Sequence, residues 1–223
     1  NNKGFVDKFI GDGVMALFSI PEEPNAADAL NSIMAAISMQ QQIDSFNKDN
    51  KMSEEKRLRI GIGIHSGPVI IGTVGSEERM ESTVTGDTVN LASRLEGLTK
   101  FYRSKILISQ STYEFIDSES SFEFRELDLV KVKGKDEPVT IFEVCNSDPE
   151  PIREQKLGSR EKFAEALKDY RSQKWTAAMT KFKNCLKECP DDGAAELHLE
   201  RCKSFKKTPP PKDWKGEQVF TQK

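Results

Sequence analysis

Several short stretches hold residue types whose spacing could do chemistry. Asn90 and Arg94 stand four apart; on a helix they project from the same side, near first turns whose free backbone N–H groups favour phosphate. The same pair also suits a solvated helix face. Asp12 sits between two glycines in Gly11-Asp12-Gly13, where its carboxylate is either a ligand or a simple turn residue. Lys131, Lys133 and Lys135 surround Gly134, giving a concentrated positive hairpin or an ordinary charged edge. Cys185, Cys189, His198 and Cys202 follow Cys-x3-Cys-x8-His-x3-Cys, a spacing that tetrahedral zinc could use. Cys185 and Cys202 also fall on apolar helical stripes, and core packing is the leading explanation for them. His65 has a strand neighbourhood and no second histidine nearby, and reads as structural rather than as a base.

The elements around these residues must position them. Residues 5–20 carry apolar runs on both sides of the Asp12 turn and read as a hairpin. Over 25–46 the period becomes helical, with Leu30, Ile33, Met34 and Ile37 as a stripe that shifts to Met39, Ile43 and Phe46. Leu58, Ile60, Ile62 and Ile64 then alternate with Arg59, Gly61, Gly63 and His65, and Ser66-Gly67-Pro68 turns the chain into 69–74. A second hairpin is expected there. Residues 79–85 alternate again, and Gly86-Asp87-Thr88 opens a helix striped by Leu91, Leu95 and Leu98. A short buried strand follows at 105–109, then capping-box spacing from Ser111 to Glu114, and 122–132 pairs with 139–144 across Gly134-Lys135-Asp136-Glu137. Paired strands with two or three interleaved helices indicate an α+β sheet covered by helices.

Taken in order, Asp7-Lys8-Phe9-Ile10-Gly11-Asp12-Gly13, Gly61-Ile62-Gly63-Ile64-His65-Ser66-Gly67, Gly86-Asp87-Thr88-Val89-Asn90-Leu91-Ala92-Ser93-Arg94 and Val132-Lys133-Gly134-Lys135 resemble a class III nucleotide cyclase catalytic domain. The resemblance covers residues 1–146 and implies a ferredoxin-like sheet with helices, working as a homodimer. Position by position, Asp12 looks like one of two metal-binding aspartates, and Lys8 and Thr83 like the purine selectors. Asn90 and Arg94 resemble the transition-state pair, and Lys133 the lysine that holds the triphosphate. The implied reaction is attack of the ATP 3'-hydroxyl on the α-phosphorus, with pyrophosphate leaving and 3',5'-cyclic AMP formed. Two divalent cations would serve each site, and hard oxygen ligands such as Asp12 suit Mg2+ or Mn2+. The family's first metal aspartate lies on an opening strand followed by two helices. A chain that begins at Asn1 has no room for that segment, so a half-built metal site is expected, as in a fragment of an active enzyme.

Base choice can be argued from donors and acceptors. Adenine offers an acceptor at N1 and a donor at its 6-amino group, complementary to a lysine donor at Lys8 and a hydroxyl acceptor at Thr83. Guanine reverses both and would leave buried polar groups unpaired. Guanylyl cyclases usually carry an acidic residue at the position of Lys8. Thr83 in place of an aspartate also resembles the bacterial branch in which bicarbonate sensitivity is known.

Charge divides the chain. Residues 1–150 carry 16 basic and 25 acidic side chains, net −9, while 151–223 carry 17 and 11, net +6. The lysines of the second part are scattered at helical spacing rather than massed, which argues against nucleic acid as a partner. No apolar run approaches the eighteen or so residues of a membrane span, so no membrane contact is expected from this segment. Four cysteines fit a reducing, cytoplasmic compartment, including the cytoplasmic part of a larger anchored protein. Residues 147–157, with two prolines and no periodicity, read as a linker. In 158–207, Trp175, Ala178, Phe182 and Pro190 keep a Trp-x2-Ala-x3-Phe-x7-Pro spacing that resembles the second helix of a tetratricopeptide repeat. Only about one and a half repeats are present where about three are normally needed, so the unit should lean on something else, a protein partner or the dimer. Residues 208–223 read as a Pro-rich extended tail. The expected function is an adenylyl cyclase acting on ATP. The rivals are a noncatalytic cyclase-like module for dimerisation and partner binding, or a guanylyl cyclase.

Overall fold

The computed structural model describes residues 3–18, 26–76, 79–117, 120–132 and 137–220. The expected Asp12 turn forms: Phe5–Ile10 (β1) and Gly13–Leu17 (β2) pair antiparallel across Gly11, whose φ of 62° lies in the left-handed region that favours glycine. Ala26–Asp49 (α1) is the long covering helix, but its apolar stripe is buried only at the start. Met34, Met39 and Phe46 face outward, and the buried side of the second half is polar, with Gln40 and Asn47. Gln40 Nε2 donates to the carbonyls of Ile60 and Lys105 at 2.9 and 3.2 Å. The Asn47 amide donates to the Leu58 carbonyl at 2.8 Å and accepts from its N–H at 2.9 Å. Side chains rather than a neighbouring strand therefore satisfy the backbone at residues 58–60, and the strand predicted to begin at Leu58 is only Ile62–Ile64 (β3).

The expected pairing of β3 with the next strand is also replaced. Ile70–Ser76 (β4) pairs instead with Arg79–Thr85 (β5), and β3 lies parallel to Ile106–Ser109 (β6). The reason is close packing: β3 is pressed against the helix Asp87–Tyr102 (α2), where a Cβ on Gly63 would meet the Ala92 carbonyl at 2.3 Å. That approach holds β3 beneath α2, and β6 leads from the end of the same helix back alongside it. Gln110–Tyr113 (α3) is capped by Ser109, whose hydroxyl accepts from Thr112 N at 3.3 Å, rather than by Ser111. Phe124–Val132 (β7) and Val139–Val144 (β8) pair as expected, with a bulge at Leu127. Gln218–Phe220 (β9) closes the other edge, parallel to β7, in a segment read as tail. The five-stranded sheet runs β3-β6-β8-β7-β9.

The linker reading of 147–157 gives way to a helix, Glu150–Gly158 (α4), buried at Lys156. Prolines at 149 and 151 are compatible with a first helical turn, and the helix is anchored by an ammonium rather than an apolar stripe, which is why it showed no periodicity. Arg160–Arg171 (α5), Trp175–Glu188 (α6) and Gly193–Lys207 (α7) complete the chain. The two sheet faces divide by strand alternation. Ile106, Ile108, Phe142 and Val144 pack on α1 through Ile33 and Ala36. Leu107, Leu127, Val130 and Ile141 pack with α2 and with Phe163, Tyr170, Phe182 and Leu199 of the C-terminal helices. No helix among the described residues is long and apolar enough to cross a membrane.

Candidate functional site

Thr83, Asn90 and Arg94 lie on one continuous strand–turn–helix segment. Thr83 is on β5 opposite Gly72. Three residues on, Gly86 turns the chain at φ 144°, a conformation L side chains rarely adopt, and caps α2 with no side chain over the helix end. The Thr88 hydroxyl donates to the Pro68 carbonyl at 2.6 Å and so ties the helix start to the Ser66-Gly67-Pro68 turn. A Cβ at Gly67 would meet that hydroxyl at 2.8 Å, so a small residue is required there. Asn90 is exposed and Arg94 half-buried, one turn apart as the spacing required.

Lys8 and Asp12 occupy a separate support, the β1–β2 hairpin, with Asp12 exposed at its tip. Lys8 is oriented by a feature that strand alternation does not foresee. The β1–β2 register slips between Val6 and Lys8, leaving Asp7 as the bulged residue. Its buried carboxylate then reaches the Lys8 ammonium, 3.3 Å away, although neighbours in a regular strand point to opposite faces. Asp7 was not singled out from sequence. The Lys133 position lies outside the described residues, as do Lys135 and the tip of its hairpin.

Asp12 has the hard oxygen donor that Mg2+ or Mn2+ takes. Among the described residues, however, no group of three His, Cys, Asp or Glu side chains could hold an ion. The described residues therefore supply one fitting ligand and not a cage. The zinc spacing does not assemble either. His198 is fully buried, with Nε2 2.8 Å from the Leu127 carbonyl and its ring stacked on Phe182 at 5.2 Å. Burial holds its pKa down to about 4, so the imidazole is neutral and Nε2–H is the donor. Burial raises the Cys185 and Cys202 thiols to about 11 and 12, as befits core residues. His65 is likewise held in place, Nδ1 lying 2.7 Å from the Ser109 hydroxyl.

The densest electrostatic cluster lies away from these residues, where the sheet meets the C-terminal helices. Buried Arg125 on β7 donates Nε to Glu143 at 2.6 Å and makes two bonds, 2.5 and 2.8 Å, to Asp192. Asp192 in turn caps α7, accepting from Ala195 N at 3.1 Å. Lys156 bridges Glu143 and Asp148 at 2.9 and 2.7 Å. Burial pushes the carboxyl pKa of Glu143 upward, but the Arg125 and Lys156 charges overcome this and hold it below the ordinary value. The guanidinium also lies 4.2 Å over the Phe163 ring. This network joins β7, β8, α4 and α7 into one structure, and nothing in the spacing of its members advertised it.

Known proteins resemble this chain in sequence and in fold. A model of the adenylate and guanylate cyclase catalytic domain matches residues 6–144. An adenylate cyclase of Anabaena cylindrica is 50% identical over 146 residues, which are 63% of this chain and 28% of that protein. The terminal-differentiation specific adenylate cyclase of Dictyostelium discoideum is 38% identical over 200 residues, 89% of this chain and 9% of that protein. The second match necessarily runs past residue 144 into the C-terminal helices. The chain spans less than a third of either relative. Among solved structures, the adenylyl cyclase CyaB from P. aeruginosa superposes with a TM-score of 0.56 at 34% identity, over 64% of this chain and 72% of that one. A guanylyl cyclase superposes with a TM-score of 0.54 at 33% identity, over 65% and 71%.

Proposed function

The chain belongs to the adenylate and guanylate cyclase catalytic domain family, and on that premise we propose that it is the catalytic part of an adenylyl cyclase that converts ATP to 3',5'-cyclic AMP and pyrophosphate at a homodimer interface. Likeness of fold does not separate the two nucleotides, since adenylyl and guanylyl cyclases superpose almost equally well. The observation that carries the choice of ATP is Lys8, a donor held beside Asp7 on β1; Thr83, on β5, is its counterpart in the choice. Lys8 donates to adenine N1 and the Thr83 hydroxyl accepts from the 6-amino group. Asn90 and Arg94 donate to the ribose and to the charge that builds on the α-phosphoryl group, and Lys133 holds the triphosphate. A divalent cation bound with Asp12 would lower the pKa of the 3'-hydroxyl and offset phosphate charge.

A second copy of the chain is supported by the apolar surface of the hairpins: Phe9, Ile10 and Ile70 are 74%, 60% and 70% exposed. Helices α5 to α7 we read as a tetratricopeptide-like unit that braces the catalytic sheet, because their apolar faces are buried against it. All four cysteines are buried and unpaired, which suits a reducing, cytoplasmic setting.

The full-length protein, given ATP with Mg2+ or Mn2+, should release cyclic AMP. Replacing Lys8→Glu with Thr83→Cys should shift preference toward GTP by at least about tenfold, since each mismatched buried polar group costs about 1 to 3 kcal/mol. Failure of the folded wild-type protein to make cyclic AMP would overturn the enzyme reading. An unchanged ATP preference in an active double variant would overturn the base assignment alone.

A further inference from the structure

The chain beyond α7 is built as a specific structure. The Pro211 carbonyl accepts from Gln173 Nε2 at 3.2 Å. Trp214 sits among Tyr170, Trp175 and Phe205 with ring centres 5.3, 5.8 and 5.3 Å away, and its Nε1 donates to the Glu217 carbonyl at 2.8 Å. Gly216, at φ 103°, passes so near Arg171 that a Cβ would lie 2.4 Å from Arg171 Cγ. This turn aims β9 along the outer edge of β7, with Val130 opposite Gln218 and Val132 opposite Phe220. The Phe220 ring then packs on Phe101 at 5.3 Å and Tyr102 at 6.4 Å, with the Arg201 guanidinium 5.7 Å from its centre.

Phe101 and Tyr102 end α2, the helix that presents Asn90 and Arg94. Arg94 stands eight residues before Tyr102, roughly two turns or 12 Å along the axis. The start of α2 is tied down by Thr88 and its middle by the close approach of Gly63. The far end is held by the buried Tyr102 hydroxyl, which donates to Asp128 at 2.6 Å, and is covered by Phe220, so the tail adds to the seat of the helix that carries Arg94. We propose that Phe220, held by the Trp214 turn and the β7–β9 pairing, is a positioning residue for the cyclase reaction, setting the seat of α2 and through it the aim of Arg94. The inference rests on the cyclase reading and deepens it. Asn90 and Arg94 act on charge that develops in the transition state, so a misplaced α2 lowers turnover more than ATP binding.

In the full-length protein, Phe220→Ala should lower kcat about tenfold while KM for ATP stays within about twofold. The variant should still bind 3'-deoxy-ATP, which lacks the attacking hydroxyl, at full stoichiometry by calorimetry. Phe220→Leu, which restores apolar bulk, should recover most of the loss, and Val219→Ala, on an exposed side chain of the same strand, should change nothing. Phe101→Ala removes the helix side of the same contact and should reproduce the fall in kcat; it decides the matter if Phe220→Ala does not fold. A kcat that falls only in step with nucleotide-binding stoichiometry, or wild-type kcat in either alanine variant, overturns the inference while leaving the cyclase reading intact. A wild-type protein that binds ATP but makes no cyclic nucleotide defeats the cyclase reading, and this inference with it.

Discussion

The two hairpins β1–β2 and β4–β5 and the junction between the sheet and helices α4 to α7 are opposite kinds of surface. Each hairpin is a two-stranded sheet of its own, a form only marginally stable by itself, and both leave large apolar side chains in the open. The junction leaves little undone. Arg125, Lys156, Glu143 and Asp192 are all buried and all paired, and the apolar faces of the helices are spent on the sheet. The candidate substrate-handling residues Lys8, Asp12 and Thr83 are on the unfinished surface. The contrast teaches that the chain closes its core on the helical side and leaves its hairpins open, the face that our proposed reading gives to a second copy.

Breaking the finished side should have the largest effect. Arg125→Ala strands Asp192 and weakens the hold on Glu143, and should destabilise by about 3 to 5 kcal/mol. In a chain of this size that lowers Tm by roughly 6 to 20 °C, measurable by calorimetry. A Tm within a degree or two of wild type would show that the network is not what joins the two parts.

Breaking the unfinished side should spare Tm and abolish turnover. On the proposed assignment, Arg94→Ala would remove a donor from the transition state, worth on the order of 2.7 to 4 kcal/mol, and Asp12→Ala would remove a metal ligand. Each alone should be nearly inactive in the full-length protein. If Asp12 of one chain faces Asn90 and Arg94 of the other, mixing the two variants should restore activity to about a quarter of wild type. Random pairing gives about half mixed dimers, each with one intact site of two. A mixture as inactive as its parts, with subunit exchange verified, would remove the shared site and with it the meaning given to the exposed hairpins.

A smaller effect sharpens the comparison from the pH side. Burial holds His198 neutral with a pKa of about 4, against an ordinary value of about 6.5. Asp128 lies 3.9 Å from its Nε2, and Asp128 and Arg201 act on it with opposite sign. The unfolded chain takes the proton first, so stability present above pH 6.5 is lost as pH falls toward 4, by about 2 kcal/mol between pH 7 and pH 5. Glu143 and Asp192, held below the ordinary carboxylate range, keep their contributions until lower pH. Urea unfolding at the two pH values should show this slope in the wild type and its loss in His198→Gln. Equal slopes would mean that the interior at α7 is wetter than it looks.

Much of the architecture was legible in the residues. The Gly11-Asp12-Gly13 hairpin, the helix opening at Gly86, the buried strand near 105–109 and the β7–β8 pair follow from alternation and turn chemistry, which are local. Three of the misreadings share a cause. The outward second half of α1, the short β3 and the helix α4 are places where side chains from distant segments, Gln40, Asn47 and Lys156, meet backbone or charge that no local pattern reveals.

By itself the sequence determined the alternating and helical periods, the glycines where backbone must turn or approach closely, and the order of motifs that marks the cyclase family. All of these depend on neighbours a few residues away, or on residue identity alone. Tertiary structure decided what those elements lie against. It paired β3 with β6 rather than β4, turned Asp7 toward Lys8 through a bulge, gathered Arg125, Glu143, Lys156 and Asp192 into one buried network, and brought a C-terminal strand to β7 and to the end of α2. Each of these is a choice among several partners of similar local merit, settled only when burial and charge are satisfied over the whole chain at once.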